Sequence, residues 1–318
     1  MTTLVSLGTH PLYYHSQSAC VSTEDGVTYT ELAAPFDVHS TCLAAASNTN
    51  GSVWLAASNT GMLSRSTDQG QSWNSYIMLG QMLSLRSVVH TGTRFLITGS
   101  LRYANGDERA TVYASTTALN AASWSPVYGN TNAYSALVDL TSVSSTVWAA
   151  VGYVNGMSQP LMVVSTNGGV NWTAATLVGL PSTVIHSVVY NPTTQRIHLG
   201  GQGWTAWSVW SLGTLNWTVR ELGTEAIVRM RCNSTEVVAV SGRTAWFTNN
   251  SADWQAIQAP PGYNLTSLTE YDQKWRMGAH SLLNQFTGFQ FDVGSTFGSP
   301  VTLNGYHIPV QSHAQWVS

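Results

Sequence analysis

Ser66-Thr67-Asp68-Gln69-Gly70-Gln71-Ser72-Trp73 is the stretch on which the fold turns. It returns as Ser165-Thr166-Asn167-Gly168-Gly169-Val170-Asn171-Trp172, so both copies fit Ser-Thr-Asp/Asn-x-Gly-x-x-Trp. Ser22-Thr23-Glu24-Asp25-Gly26-Val27-Thr28-Tyr29 keeps the frame with Tyr in place of Trp. Asp292-Val293-Gly294-Ser295-Thr296-Phe297 keeps the Asp, the Gly and a terminal aromatic. Three weaker copies, ending at Trp124, Trp217 and Trp254, have lost the Gly. Anchored on Tyr29, Trp73, Trp124, Trp172, Trp217, Trp254 and Phe297, successive units lie 37 to 51 residues apart. Seven units of about 45 residues account for the whole 318-residue chain, and a period of that size signals a repeat architecture.

The chemistry of the motif is local. An Asp or Asn at its third position offers an acceptor to backbone N–H groups two residues on, and Gly supplies the positive φ of a tight turn. The closing aromatic then covers one face of a small sheet. On this reading Ser22, Gly26, Tyr29, Ser66, Asp68, Gly70, Trp73, Ser165, Asn167, Gly169, Trp172, Asp292, Gly294 and Phe297 are structural residues that staple turns.

Between the anchors each unit predicts four strands. In the second unit these are 41–46, 52–57, 61–66 and 75–79; in the third, 86–90, 94–98, 110–115 and 126–128; in the fourth, 135–140, 146–151, 161–165 and 173–177. Runs of four to seven β-formers broken by Asn, Gly, Thr and Ser have strand length and turn chemistry, and no segment sustains a helical period. Four-stranded units, seven in number and without linkers, predict an all-β, seven-bladed β-propeller spanning 1–318 as a single domain. The first unit has room for only two strands before Tyr29, at 3–8 and 18–21. After Phe297 come a strand at 301–303 and a surplus segment, 306–316. That C-terminal segment is expected to join the N-terminal blade as its innermost strand, closing the ring and removing its edges.

Composition agrees. Twelve basic and 15 acidic residues make only 8% of the chain, against about 25% in ordinary soluble proteins; Lys274 is the sole lysine. Charged helices are improbable with so few Glu, Lys and Arg, and the wet surface must be Ser, Thr, Asn, Gln and Gly. A net charge of −3 leaves no footprint for nucleic acid. No apolar run approaches the roughly 20 residues of a spanning helix, so membrane insertion is not expected. The N-terminal ten residues lack a basic n-region and a long apolar core, which predicts no signal peptide and synthesis in a cytosol. Three cysteines (Cys20, Cys42, Cys232) do not make a disulfide framework. The nine histidines show no metal-ligand spacing, so neither a metal nor another cofactor is expected.

The Ser-x-Asp-x-Gly-x-x-Trp pattern resembles the Asp-box (BNR-like) repeat of sialidases, some glucan hydrolases, sortilin-type receptors and photosystem assembly factors. The resemblance implies a β-propeller whose boxes sit on turns away from the active face; it does not select a function. A sialidase would need three carboxylate-clamping arginines, an acid/base Asp and a Glu–Tyr pair. It would also carry an Arg-Ile-Pro segment ahead of the first box, whereas the first arginine here is Arg65. A hydrolase of neutral glycans needs two carboxylates about 5–10 Å apart; Asp107 with Glu108, Asp139 with Glu270, or Asp37 are the candidates.

Four loops longer than a tight turn are expected on one face, at 101–109, 153–160, 200–206 and 281–287. Trp204, beside Gly203, is read as an exposed aromatic on the third, suited to sugar or protein contact. Trp207 and Trp210 follow at strand spacing and are expected to pack between blades. Leu85-Arg86-Ser87-Val88-Val89-His90 aligns with Ile185-His186-Ser187-Val188-Val189-Tyr190, which places Arg86 and His186 equivalently on the channel rim. Thr41, Ser135 and Thr266 fall near the same column, with Arg229 close by. Trp204, Arg86, His186 and Arg229 are thus the candidate binding residues, and no catalytic residue is named.

Three functions fit. The first is a non-enzymatic structural or adhesion component of a virus particle, in particular a bacteriophage tail protein. Its partners would be neighbouring tail proteins or a host-surface polysaccharide, its location the virion, and its copies several. A neutral polar surface almost without lysine suits packing against neighbours and resists non-specific binding. The alternatives are a glycan hydrolase using the loop face and an assembly-factor scaffold.

Overall fold

A computed structural model of the chain describes residues 4–12, 15–23, 30–36, 40, 42–78, 83–212, 214–271, 274–281, 286–291 and 315–317. Within them the only helical element is a single 3₁₀ turn, Ala121–Ser123. No helix there is long and apolar enough to cross a membrane. The strands form consecutive antiparallel sheets in chain order. Cys42–Ser47, Trp54–Ser58, Met62–Ser66 and Asn74–Ile77 make one four-stranded sheet. The next two comprise Leu83–His90, Phe95–Arg102, Glu108–Ser115 and Ser125–Gly129, then Ala136–Ser142, Trp148–Val154, Gln159–Ser165 and Thr173–Ala174. A three-stranded sheet follows, of Ile185–Asn191, Arg196–Val209 and Thr218–Ala226. After it come Arg229–Cys232, Val237–Ser241, Thr244–Thr248 and Gln255–Gln258, then a three-stranded sheet of Tyr263–Tyr271, Lys274–Ser281 and Phe286–Phe291. A two-stranded parallel link joins Leu177–Val178 to Leu215–Asn216.

The chain's two ends share a sheet. Leu4–Leu12 pairs with His15–Thr23 along its length and, on its other edge, with Gln315–Val317, where Val5 faces Val317 and Leu7 faces Gln315. The first strands of successive sheets also touch in order, and Gln315–Val317 lies against both Cys42–Ser47 and Tyr263–Tyr271. Both N-terminal strands are longer than the predicted 3–8 and 18–21. The 301–303 strand, Gly26, Tyr29, Asp292, Gly294 and Phe297 lie outside the described residues, while Ser22 falls in the strand His15–Thr23.

Burial follows position within each sheet. Second strands lie between two neighbours and under the adjoining sheets, so they read as continuous apolar runs: every residue of Trp54–Ser58 and of Val237–Ser241 is buried. Outermost strands such as Asn74–Ile77 and Gln255–Gln258 are largely exposed. The core is a series of layers between consecutive sheets. Leu55, Leu63, Leu85, Phe95 and Trp124 form one layer. Leu96, Val112, Leu140, Trp148 and Trp172 form the next, and Val240, Phe247, Leu268, Trp275 and Met277 another.

The motif turns are wired alike, with a correction to the expected bonding. Ser66 does most of the stapling: its Oγ accepts from Gly70 N at 2.8 Å and donates to Asp68 Oδ1 at 2.7 Å. Asp68 reaches four residues on, not two, to accept from Ser72 N at 2.9 Å. Ser165, Asn167, Gly169 and Asn171 repeat this set at 3.0, 2.9 and 2.9 Å. Gly70 has φ +85°, and a Cβ there would press on Leu32, which ends the strand Thr30–Leu32, and on Trp54. Two degenerate copies, those of Trp124 and Trp254, keep the bond to the residue at positive φ: Ala118 (φ 49°) donates to Ser115 Oγ, and Ser251 (φ 71°) donates to Thr248 Oγ1. Two of the closing aromatics lock neighbouring sheets. Trp73 Nε1 donates to Ala33 O at 2.9 Å, and Trp124 Nε1 to Tyr76 Oη at 3.0 Å.

Candidate functional site

A register shift recurs in the first strand of sheet after sheet. Pairing with the second strand skips Leu43, Arg86, Val138, His186 and Thr266. A β-bulge re-aims the side chain it inserts. Gly99 and Gly152 stand opposite two of these bulges, where a Cβ would strike the carbonyl oxygens of Ser84 and Ala136. In the sheet that begins at Arg229, Val228 occupies the corresponding place and donates its N–H to Val240 O at 2.9 Å.

These bulge residues meet. Leu43, Arg86, Val138, His186, Val228, Arg229 and Thr266 line one cavity of about 150 Å³. Arg86, His186 and Arg229 are thereby brought together in one wall, with Thr266 beside them. Two column assignments are corrected. Val138, not Ser135, faces the cavity; Ser135 sits three residues earlier, its hydroxyl accepting from Ala110 N at 2.9 Å. Leu43 holds the place expected of Thr41, which lies outside the described residues.

One residue beyond each bulge comes an enclosed row: Ala44, Ser87, Asp139, Ser187, Arg229 and Ser267, all buried. Asp139 links three strands here. Its Oδ2 accepts from Ser187 Oγ at 2.6 Å and Val188 N at 3.1 Å, and its Oδ1 from Leu140 N at 3.0 Å and Arg229 Nη1 at 3.3 Å. Ser187 Oγ accepts in turn from Met230 N at 2.9 Å. Burial pushes the Arg231 guanidinium below its ordinary value; the Asp139 charge works against that shift and the neighbouring Arg229 charge with it. Burial likewise lowers His186, which favours its neutral form at pH 7. Sequence names Asp139 only as a candidate hydrolase carboxylate, not as a member of this row, and does not single out Arg231. Asp139 could have been found by extending the Arg86-Ser87 and His186-Ser187 column to Val138-Asp139.

A larger groove of about 550 Å³ adjoins the cavity, sharing Val228 and Thr266 and running past Glu225, Ser241, Arg243, Thr244 and Asn264. On the same end, the hairpins after Phe95–Arg102 and Trp148–Val154 carry the expected loops. Arg109 stacks 4.5 Å over the Tyr103 ring and pairs with Asp107 at 3.5 Å, and Arg102 lies 4.0 Å from Glu108. Tyr134 (φ 53°) and Met157 (φ 74°) hold left-handed backbone while 60% and 56% exposed. The loop at 281–287 falls mostly outside the described residues.

Trp204 is a correction. The expected loop 200–206 is the middle of the strand Arg196–Val209, and Trp204 is 4% exposed. Its ring packs with Ile185, Ile197, Leu199 and Leu215, and its Nε1 donates to Thr183 Oγ1 at 3.0 Å. The glycines around it leave space instead of making a turn. A Cβ on Gly201 would run into the Trp204 ring, and one on Gly203 into the Gly223 carbonyl. Trp207 lies under the Arg196 guanidinium at 4.1 Å, and Trp210 meets Tyr190 edge-on at 6.5 Å. Among the described residues no three His, Cys, Asp or Glu side chains cluster as a metal site would require.

The succession of antiparallel sheets is that of the β-propeller class, and solved structures agree. The chain is similar to "YCF48 bound to D1 peptide", with a TM-score of 0.58, 13% identity, and 81% of this chain and 80% of that chain covered. It is similar also to YCF48 from Cyanidioschyzon merolae, with a TM-score of 0.58 and 16% identity over 83% of this chain and 86% of that one. At these identities the likeness shows a propeller fold and no more. No family model matches the chain, and no curated protein does.

Proposed function

We propose that the chain is a seven-bladed, closed propeller that acts without catalysis as a docking component of a virus particle, most simply a bacteriophage tail, present in several copies. Seven blades are supported by the seven sheets of three or four strands among the described residues and by the order in which their first strands touch. Closure is supported by the pairing of Gln315–Val317 with Leu4–Leu12.

The observation that carries a binding role over hydrolysis is the state of the described carboxylates, among which Asp37 and the side chain of Glu270 do not fall. Asp139 is buried with all its acceptor positions engaged. Asp107 pairs with Arg109, while Glu108 approaches Arg102 and accepts from Ser100 Oγ. Among the described residues the cavity wall contains no carboxylate and the adjoining groove only Glu225, whereas glycoside cleavage uses two acting together. A propeller of similar fold holding a D1 peptide supports a protein partner; a neighbouring tail protein or a host polysaccharide is the partner proposed. The particle assignment rests on a surface with one lysine and little charge.

Mass spectrometry of purified particles tests it: the chain should be found at several copies per particle, and its absence from them would reject the assignment. Incubation with bacterial surface polysaccharide should release no new reducing ends; their appearance would favour the hydrolase instead.

A further inference from the structure

We propose that the channel mouth is an oxyanion site, at which Arg86 and Arg229 receive a carboxylate or phosphate group and His186 adds a hydrogen bond. This rests on reading that mouth as a contact surface and names the chemistry it takes. Charge balance is the reason. Arg86 and Arg229 both line the cavity, and Arg231 follows Arg229 by two residues. Among the described residues one carboxylate, Asp139, forms an ion pair with any of these three cations, and it is used up. A carboxylate has about four acceptor positions; those of Asp139 are taken by Ser187 Oγ, Val188 N, Leu140 N and Arg229 Nη1.

Arg86 is left over. Among the described residues it has no ion-pair partner, although it stands in the cavity wall with its side chain open to solvent. Tyr153 feels both its charge and the opposing charge of Glu108. A planar guanidinium presents a rigid fork that fits an oxyanion in two-point fashion. His186 lies in the same wall and favours its neutral form, so it contributes a donor or acceptor without further repulsion. The space suits one such group: about 150 Å³ holds roughly five waters at about 30 Å³ each.

The test titrates the purified full chain by calorimetry with inorganic phosphate, with succinate and with succinamide, the uncharged analogue. Phosphate, succinate or both should bind saturably at one site per chain, and succinamide should not. Binding of phosphate alone assigns a phosphate-bearing ligand; binding of succinate alone assigns a carboxylate. Arg86→Gln should weaken that binding about 10- to 100-fold, the effect of losing one charged hydrogen-bonding partner. Its unfolding midpoint should stay at the wild-type value, because the side chain is exposed. Absence of binding by both anions, equal binding of succinamide, or unchanged affinity in Arg86→Gln would each overturn the proposal. The particle composition would be untouched by such a failure, so the docking role stands or falls separately.

Discussion

The guanidinium of Arg229 lies 3.3 Å from the carboxylate of Asp139, 90 residues away in sequence and two sheets away in space. Ser187, on the sheet between them, donates to the same carboxylate and accepts from the backbone beside Arg229. Three consecutive sheets are therefore held by one buried network at the level where their first strands meet. Such a network gives little net stabilisation over an apolar substitute, yet breaking one member leaves an unpaired charge out of water. Asp139→Asn should cost about 3–5 kcal/mol, because the buried Arg229 is then left without its anion, beside the half-buried Arg231. Urea unfolding should show the midpoint fall, and the double variant Asp139→Asn with Arg229→Gln should lose less than the two single losses added.

The turn at Ser66 makes a sharper discrimination between chemically similar changes. Asn167 in the sister turn performs the bonding of Asp68, so Asp68→Asn should change stability by no more than about 0.5 kcal/mol. Ser66→Ala leaves the buried Gly70 N–H without its acceptor, at a cost of about 1–3 kcal/mol. Thermal melts of the two variants side by side check the ordering; a larger loss in Asp68→Asn than in Ser66→Ala would reverse the assignment of the serine as the staple.

The repeat was legible because its bonds are local: Ser66, Asp68, Gly70 and Ser72 interact within seven residues, so the pattern is written in one short stretch. The degenerate copies hid because backbone geometry tolerates Ala118 or Ser251 where Gly is preferred, once the turn's serine or threonine is in place. The channel ring was legible at Arg86 and His186, where Ser-Val-Val follows both. It was missed at Val138 because Asp139 replaces the serine, a change that makes sense only with Arg229 across the sheets. Trp204 was misread because three glycines in four residues signal a turn by composition, whereas here they clear room for a ring and a neighbouring strand.

Trp204→Ala should consequently behave as a core truncation. The ring fills a layer with Ile185, Leu199 and Leu215 and satisfies its N–H on Thr183. Its removal should cost about 3–5 kcal/mol, the usual range for a buried aromatic. Differential scanning fluorimetry should show a clear fall in melting temperature; an unchanged melt would mean the ring is solvated after all.

Removing residues 306–318 tests the meeting of the termini. Without Gln315–Val317 one edge of Leu4–Leu12 is left unpaired, and an exposed strand edge is a template for association. The truncated chain should melt at lower temperature and elute as a concentration-dependent mixture on size exclusion, where the full chain is expected to give one species.

Acid should destabilise the fold before its carboxylates titrate, through His198. This histidine is fully buried in the strand Arg196–Val209, with Ser251 Oγ 3.4 Å from its Nε2. Burial, aided by the Arg196 charge, lowers its pKa from 6.5 to about 3. In the unfolded chain the imidazole regains its ordinary value, so below about pH 6.5 the unfolded state binds a proton that the folded state refuses. The stabilisation is present in full above the unfolded value and falls as pH drops towards the folded one, by up to about 1.4 kcal/mol per unit. His186 and His90, also lowered by burial, add to the slope in the same direction. Asp68, held down at about 2 by Ser72 and Ser66, contributes only below its ordinary 3.8, and little because it is exposed. Urea midpoints measured between pH 7 and pH 4.5 should therefore decline steadily in the wild type. His198→Gln should flatten that decline while lowering stability at pH 7; an equal slope in the two proteins would remove His198 as the cause.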